Sequence, residues 1–466
     1  MHTTDSDAVS ALDAWLADLE SRHVVDPNLQ EIELGLARIA AVWERLGAPR
    51  VAARVVTVAG TNGKGSTVLA LEALARAHGL RVGSTLSPHL ERFNERIRVD
   101  GAEASDAAII DAFERIEDAR LGDGHAGISL TYFEFGVLAA LLLIADNAPD
   151  LAILEVGLGG RLDAINLIDC DIAVITPVDL DHQAWLGQDR EAIGAEKAGI
   201  MRAGRPVVIT DPAPPASVLA RAAALGAPCT RIGIDFGMTQ GLSSGHGSGD
   251  QPCAESMEQL PKEPRLTTGA APVAGGSHSG LPQYNIIPAQ SVHPAALAGA
   301  VEVLRLLDVQ PDPERMAAAL AELVIPGRMQ RVLLPDAELL LDVAHNPHAA
   351  AALASSLDGS GPWQLVFGAF ADKDVEAMFE YLAPELGTVY LVDTPGARGT
   401  GGAVLRDRLL PLTSAFGLEV TVAGRVSDGL ERAVAAAGTC PQILVCGSFT
   451  VVGAALMWLR KRGMVS

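Results

Sequence analysis

The stretch "RVVTVAGTNGKGSTVLALEALARAHG", Arg54 to Gly79, constrains the fold more than any other part of the chain. An apolar, β-branched run stops at a glycine turn and a helical pattern begins directly after it, so the sequence predicts strand, tight loop and helix in succession. The loop holds Gly60, Thr61, Asn62, Gly63, Lys64, Gly65 and Ser66. Glycines let backbone N–H groups approach phosphate oxygens, the helix N-terminus adds partial positive charge, and Lys64 adds a full one. A glycine-rich turn that binds nothing has a similar composition. What favours phosphate is a well-placed lysine in a chain whose other lysines are only Lys197, Lys262, Lys373 and Lys461. One position departs from the usual G-x-x-x-x-G-K-[ST] pattern: Gly65 stands where a magnesium-holding hydroxyl is expected.

The rest of the chain repeats the strand-and-helix alternation. Strands are predicted at 55–59, 80–84, 151–156, 171–176 and 206–209, with helices at 66–77, 134–145 and 190–200 between them. Before them, Leu12, Trp15, Leu16 and Leu19, then Leu34, Leu36, Ile39, Val42 and Leu46, recur at helical spacing. From Thr239 to Pro282 the text turns to Gly, Ser and Pro without period, which reads as a linker or surface excursion. Alternation then resumes, with strands at 339–343, 364–367, 389–392, 419–422 and 443–446. The expected fold class is α/β: an N-terminal P-loop doubly wound domain (1–238), a low-complexity segment (239–290), and a smaller Rossmann-like C-terminal domain (291–466).

Bulk properties exclude several classes. Lys plus Arg number 35 against 57 Asp plus Glu, a net charge of −22, which disfavours nucleic acid and anionic membrane surfaces as partners. The longest strongly apolar run, Gly136 to Ala145, falls far short of the ~20 residues that span a bilayer. The N-terminus has no basic and apolar signal pattern. Five scattered cysteines without C-x-x-C spacing fit buried thiols in a reducing compartment, so a cytoplasmic location is expected.

In open parallel sheets ligands gather beyond the carboxyl ends of the strands, and two strands end in unusual residues. "LAILEVGLGGRLDA" carries Glu155 to a strand end ahead of Arg161 and Asp163, and "DIAVITPVDLDHQAWLG" ends in Asp179, Asp181 and His182. Carboxylate oxygens with one imidazole beside phosphates suit Mg²⁺ or Mn²⁺. Glu155 paired with Arg161, and His182 as a plain loop histidine, are the alternatives. The helix after them brings Lys197, either a counter-ion or a lysine that reacts with CO₂ to become an anionic ligand. "STLSPHLERFNERIRVDG" presents Ser87 before Pro88, a candidate for the missing hydroxyl, with Arg92, Arg96 and Arg98 behind it as site residues or a solvated turn face. In the second domain, "VIPGRMQRV" offers Arg328 and "ELLLDVAHNPHAAAAL" offers Asp342, His345 and Asn346, the last also a natural helix cap.

Taken together, "GTNGKGS", "SPHLERFNERIRVDG", "SLTYFEFG", "ILEVGLGGRLDA", "LDH" with "WLG", "EKAGI", "PGRMQ", "LDVAHNP", "GAFADKD" and "VCGSF" resemble the folylpolyglutamate synthase/dihydrofolate synthase family of Mur-ligase-like enzymes. In order and spacing they cover nearly all of the chain outside 239–282. The resemblance implies an ATP-dependent ligase that joins L-glutamate to dihydropteroate, and to the glutamate tail of reduced folates, through an acyl phosphate. A ligase limited to tail extension and an inactive nucleotide-binding homologue are the alternatives. It further implies that Gly60 to Ser66, His293, Arg328, Asp342 and His345 meet ATP, and that Ser87, Glu155, His182 and Lys197 serve two Mg²⁺ sites. Lys64, His182 and Lys197 are then the catalytic candidates, with a CO₂-derived carbamate on Lys197. Thr131, Tyr132, Phe133, Glu134, Leu162, Asp163 and Ala164 match segments that hold dihydropteroate. The expected assembly is a monomer. His293 stands where the family usually has Asn, which leaves one nucleotide contact open.

Overall fold

The computed structural model describes residues 10–22, 34–122, 127–238, 283–284, 292–357, 361–396, 398–438 and 440–465. The first sheet contains β1 (Arg54–Ala59), β2 (Val82–Thr85), β3 (Ile97–Val99), β4 (Ala102–Glu103), β5 (Leu151–Glu155), β6 (Ile172–Ile175), β7 (Val207–Ile209) and β8 (Cys229–Arg231). Their spatial order is β4-β3-β2-β5-β1-β6-β7-β8. From β2 to β8 every pairing is parallel, and β3 and β4 add an antiparallel edge. Strands β1, β2, β5, β6 and β7 match the expected positions within a few residues. The edge strands are too short to leave a period-2 signal.

Register explains why chemistry gathers at one edge. Val58 pairs with Glu155, Ala59 with Ile175 and Thr85 with Leu154, so four strands end side by side. Helix Lys64–Ala77 covers one face of this sheet, and helix Tyr132–Asn147, buried along most of its length, covers the other. The predicted N-terminal amphipathic pattern forms helices Ala11–Arg22 and Ala37–Arg45.

A short pair, β9 (Gly237–Met238) and β10 (Gln283–Tyr284), follows. The rest of the predicted low-complexity segment lies outside the described residues. The second sheet contains β11 (Gln330–Leu333), β12 (Glu338–Leu341), β13 (Trp363–Phe367), β14 (Leu386–Val392), β15 (Glu419–Gly424) and β16 (Gln442–Cys446), in the order β11-β12-β16-β13-β14-β15. All its pairings are parallel except that of β11, an antiparallel edge strand that the sequence reading missed.

The expected start of the second domain near Ser291 needs correction. Helices Pro294–Leu306 and Pro313–Glu322 pack against helix Lys64–Ala77, and Leu297, Val301, Leu304, Met316 and Leu320 share a core with Val56, Val68, Leu71 and Leu74. These apolar stripes cover the first sheet's helix, so the unit built on that sheet extends to about Ile325. Alternation of helices and strands alone does not reveal which sheet a helix covers.

Candidate active site

The loop predicted to hold phosphate is kept open by glycines. Gly60 has φ +154°, and a Cβ added there would lie 1.8 Å from Thr176 Oγ1, so no side chain fits. Thr61 ties the loop to the end of β6: its N–H donates to Pro177 O at 2.8 Å, and its hydroxyl lies 3.0 Å from both Asp179 O and Asp179 N. Gly63 starts the helix in a left-handed conformation, and Lys64 folds back so that Nζ donates to Gly60 O (3.1 Å) and Thr61 O (3.2 Å).

Gly65 explains the missing hydroxyl. Its Cβ direction points at Glu155, 3.5 Å from Oε2. The space that a Ser or Thr would enter after Lys64 is faced by the carboxylate at the end of β5. Ser87 comes to the same carboxylate from β2, its N–H donating to Glu155 Oε2 at 3.1 Å, across a turn with a cis Ser87–Pro88 peptide. Glu155 is 4 % exposed and makes no ion pair with Arg161, which binds Glu196 at 2.9 Å instead. Burial raises the Glu155 carboxyl to about pKa 7 against the opposing charge of Lys64.

Among the described residues, two buried polar atoms here find no hydrogen-bond partner: Ser87 Oγ and His182 Nδ1. Burial, opposed by Asp181 and reinforced by Lys373 and Lys64, brings His182 down to about pKa 4, so its imidazole is neutral at pH 7. Orphaned buried acceptors are costly unless something binds them. A hydroxyl, a carboxylate and a neutral imidazole fit a hard divalent cation that takes few protein ligands and completes its shell with water and phosphate. Among the described residues no three His, Cys, Asp or Glu side chains gather to form a metal cage.

Lys197, 4 % exposed, donates to Gly60 O at 2.9 Å, so it shares that carbonyl with Lys64. Burial first, then the charge of Lys64, lower its pKa from 10.5 to about 7. Gly160 makes this approach possible: a Cβ there would fall 2.9 Å from Glu196 O and 3.0 Å from Lys197 O.

The predicted dihydropteroate segments lie on the opposite face of the sheet from helix Lys64–Ala77. Thr131 caps helix Tyr132–Asn147, its hydroxyl accepting from Glu134 N–H at 3.1 Å, while Glu134 accepts from Thr131 N–H at 2.8 Å. Glu134 also pairs with Arg38 at 3.3 Å, so its carboxylate is occupied in positioning the segment. Phe133 lies over Gly157, where a Cβ would meet the ring at 2.4 Å. Asp163 accepts from Leu158 N–H (2.8 Å) and Ile165 N–H (2.9 Å); burial raises it to about pKa 6. Leu162 is half-buried and Ala164 buried beside it.

The second sheet closes over the phosphate loop. Arg328 is stacked on Phe449 with its guanidinium carbon 5.1 Å from the ring centroid, and burial raises the Asp342 carboxyl with the charge of Arg328 opposing it. Asp342 accepts from Met329 N–H and Ala344 N–H, both at 2.9 Å. His293, in place of the expected Asn, accepts from Ala295 N–H at 3.2 Å and caps its helix as an Asn would. A cavity of about 680 Å³, lined in part by Gly65, Ser87, Glu155, Arg328 and Phe449, opens along this junction.

Sequence reasoning missed the clasp between the two sheets. Asn62 and Asn346 bond each other reciprocally at 3.2 and 3.0 Å, and Asn62 Nδ2 lies 3.1 Å from His348 Nδ1. Asp181 is the hub: Lys373 Nζ lies 2.7 Å from one oxygen and His345 Nε2 3.4 Å from the other. Burial alone would raise the Asp181 carboxyl, but His345, His182 and Lys373 together hold it well below the usual range. Lysine is rare and Lys373 lies within "GAFADKD", but neither signal pointed to Asp181 as its partner.

Residues 327–449 match the family model described as Mur ligase, glutamate ligase domain. The chain is 36 % identical over 453 residues to the Escherichia coli (strain K12) dihydrofolate synthase/folylpolyglutamate synthase, covering 96 % of this chain and 94 % of that one. Among solved structures, E. coli FolC in complex with DHPP and ADP aligns with TM-score 0.80 at 35 % identity, covering 97 % of this chain and 99 % of that one. The Yersinia pestis bifunctional folylpolyglutamate synthase/dihydrofolate synthase complexed with AMPPNP and Mn ion aligns at 0.79 and 38 %, covering 98 % and 100 %. With two α/β sheets closing on one phosphate loop, and with likeness along nearly the whole chain, this protein belongs to the dihydrofolate synthase/folylpolyglutamate synthase family.

Proposed function

We propose that the chain is an ATP-dependent ligase that joins L-glutamate to dihydropteroate and to the glutamate tail of reduced folates. The observation that carries this reading is the convergence of Lys64, Ser87, Glu155, His182 and Lys197 on one loop, with Arg328 and Asp342 brought over it from the second sheet. A carboxylate is a poor electrophile. Its oxygen attacks the terminal phosphorus of ATP, the bond to the β-phosphate oxygen breaks, and ADP leaves. The amine of glutamate then attacks the acyl carbon, the acyl–oxygen bond breaks, phosphate departs and the amine's proton passes to water.

In this reading the chain supplies position and charge. Loop N–H groups from Gly60 to Ser66 and the Lys64 ammonium face the phosphates, while Arg328, Asp342, His293 and His345 frame the nucleotide. Thr131, Tyr132, Phe133 and Glu134, with Leu162, Asp163 and Ala164, form the wall for dihydropteroate. Ser87, Glu155 and His182 would hold Mg²⁺, which neutralises phosphate charge when bound; Lys197 would support a second. Burial lowers the Lys197 amine to about pKa 7, so a substantial share is unprotonated at neutral pH, as reaction with CO₂ requires: the nitrogen bonds to carbon and a proton leaves, giving a carbamate. The free thiols Cys170, Cys229, Cys440 and Cys446 fit a reducing cytoplasm, and among the described residues no helix is long and apolar enough to cross a membrane. We further propose that the protein acts as a monomer.

The test measures acceptor-dependent phosphate release with ATP, Mg²⁺ and L-glutamate, using dihydropteroate and tetrahydrofolate in turn. Turnover with both is expected. No turnover of dihydropteroate would restrict the enzyme to tail extension, and no acceptor-dependent turnover at all would overturn the ligase reading.

A further inference from the structure

Three arginines follow the Ser87 turn, and their surroundings differ. Arg92 binds Glu103 at 2.7 Å, and Arg98 binds the buried Glu72 at 3.1 Å. Arg96 has no carboxylate within ion-pair range among the described residues. Its Nε donates to His89 Nδ1 at 2.7 Å, and its guanidinium carbon lies 5.5 Å from the Phe93 ring centroid and 5.8 Å from that of Tyr132. The two rings meet edge to face at 5.9 Å, so they form a corner that fixes the guanidinium plane. Its backbone carbonyl accepts from Leu86 N–H at 3.0 Å, which ties the corner to the turn that presents Ser87.

Such a corner is unusual for packing alone. Arginine does not give up its proton in proteins, and burial works against this charge, with Tyr132 and Glu155 the nearest opposing influences. The anchor is neutral: His89 Nδ1 accepts from Arg96 Nε and so carries no proton, which leaves the imidazole without added charge. A half-buried, pre-oriented cation without a counter-ion is a site for an anion. It stands between the Ser87 turn and the Thr131–Glu134 segment, where the reacting end of an acceptor has to lie.

We propose that Arg96 holds the acceptor's carboxylate, the group converted to acyl phosphate, by two parallel N–H···O bonds. This assignment rests on the ligase reading above. Bidentate guanidinium–carboxylate pairing fixes the plane of the acid, so one oxygen is presented for attack on the terminal phosphorus while the other stays on Arg96. As negative charge leaves the carboxylate for the departing ADP, the aromatic corner keeps the guanidinium in place without help from solvent.

The experiment titrates parent, R96Q and R96K proteins with dihydropteroate and with its uncharged carboxamide analogue, following pterin fluorescence, and with ADP, following the heat of binding. The parent is expected to prefer the acid over the amide by roughly tenfold or more, as a charge-assisted pair warrants. In R96Q that preference falls to about one while ADP affinity stays within about twofold of the parent. In R96K, a point charge without the planar fork, it falls at least about threefold. A preference unchanged in R96Q overturns the assignment alone. If R96Q fails to bind ADP, R96K decides: an unchanged preference there overturns it equally. A parent that binds neither acid nor amide overturns the ligase reading and this assignment with it.

Discussion

Lys197→Met should yield a protein that is more stable and far less active. The folded amine has a pKa of about 7 and an unperturbed lysine 10.5, with burial the main cause and Lys64 the second. In the unfolded chain the amine keeps its proton up to about pH 10.5, whereas in the folded chain it does so only up to about pH 7. The folded state is therefore disfavoured by the whole gap below pH 7, by progressively less as pH climbs, and not at all above 10.5. At about 1.4 kcal/mol per pH unit the gap is on the order of 4–5 kcal/mol. Loss of the buried bond to Gly60 O offsets about 1 kcal/mol, and that carbonyl keeps Lys64 at 3.1 Å. Methionine fills similar length without charge. In metal- and bicarbonate-free denaturant titrations, Lys197→Met should gain on the order of 2–4 kcal/mol at about pH 6.5 and little at about pH 10. A loss at the lower pH, or an equal gain at both, would refute the electrostatic argument. Activity should fall by ~100-fold or more, and Lys197→Ala should be partly rescued by formate or acetate if a carbamate is the working form. Parent-like activity of Lys197→Ala would refute the carbamate.

Three other outcomes are expected. Ser87→Ala removes a hydroxyl that makes no hydrogen bond among the described residues, so stability should stay within about 0.5 kcal/mol while Mn²⁺ affinity falls ~10-fold; calorimetric metal titration beside a thermal melt separates the two. Gly60→Ala puts a methyl 1.8 Å from Thr176 Oγ1 and should abolish ADP binding, and normal nucleotide titration would contradict the described loop. Asp181→Asn leaves Lys373 and His345 facing a neutral group, which should loosen the clasp by on the order of 3 kcal/mol; faster proteolysis between the sheets and a raised ATP KM would report it.

The parts legible in the sequence were those written locally. Strands β1, β5 and β6 are mostly apolar, and the strand-loop-helix order around Lys64 leaves one reading. Glu155 and Ser87 could be paired by argument because parallel strands end together, and Val58 opposite Glu155 realises that argument. Long-range contacts could not be read. Asn62 meets Asn346 across 284 positions, and the capping preference of Asn explains the second residue without any such contact. Asp181 reads as a strand-end carboxylate beside His182 and Lys373 as part of "GAFADKD", 192 positions away. The sequence gives no signal for the aromatic corner around Arg96, since its walls come from Phe93 and from Tyr132 in a different element. The misplaced domain start has the same origin: helix Pro294–Leu306 is amphipathic, and amphipathicity does not name the sheet it will cover.

That helix pair also affects the protein as it is made. Val68, Leu71 and Leu74 are fully buried only because Leu297, Val301 and Leu320 arrive from more than two hundred positions downstream. During synthesis the apolar flank of helix Lys64–Ala77 stays bare until those residues leave the ribosome, so the nascent chain carries an adhesive surface for much of its translation. Chains stopped at Met238 should aggregate and those stopped at Pro326 should stay in solution, a difference that a sedimentation assay would measure. The unit that carries Lys64 is completed late, by the segment that leads into the second sheet.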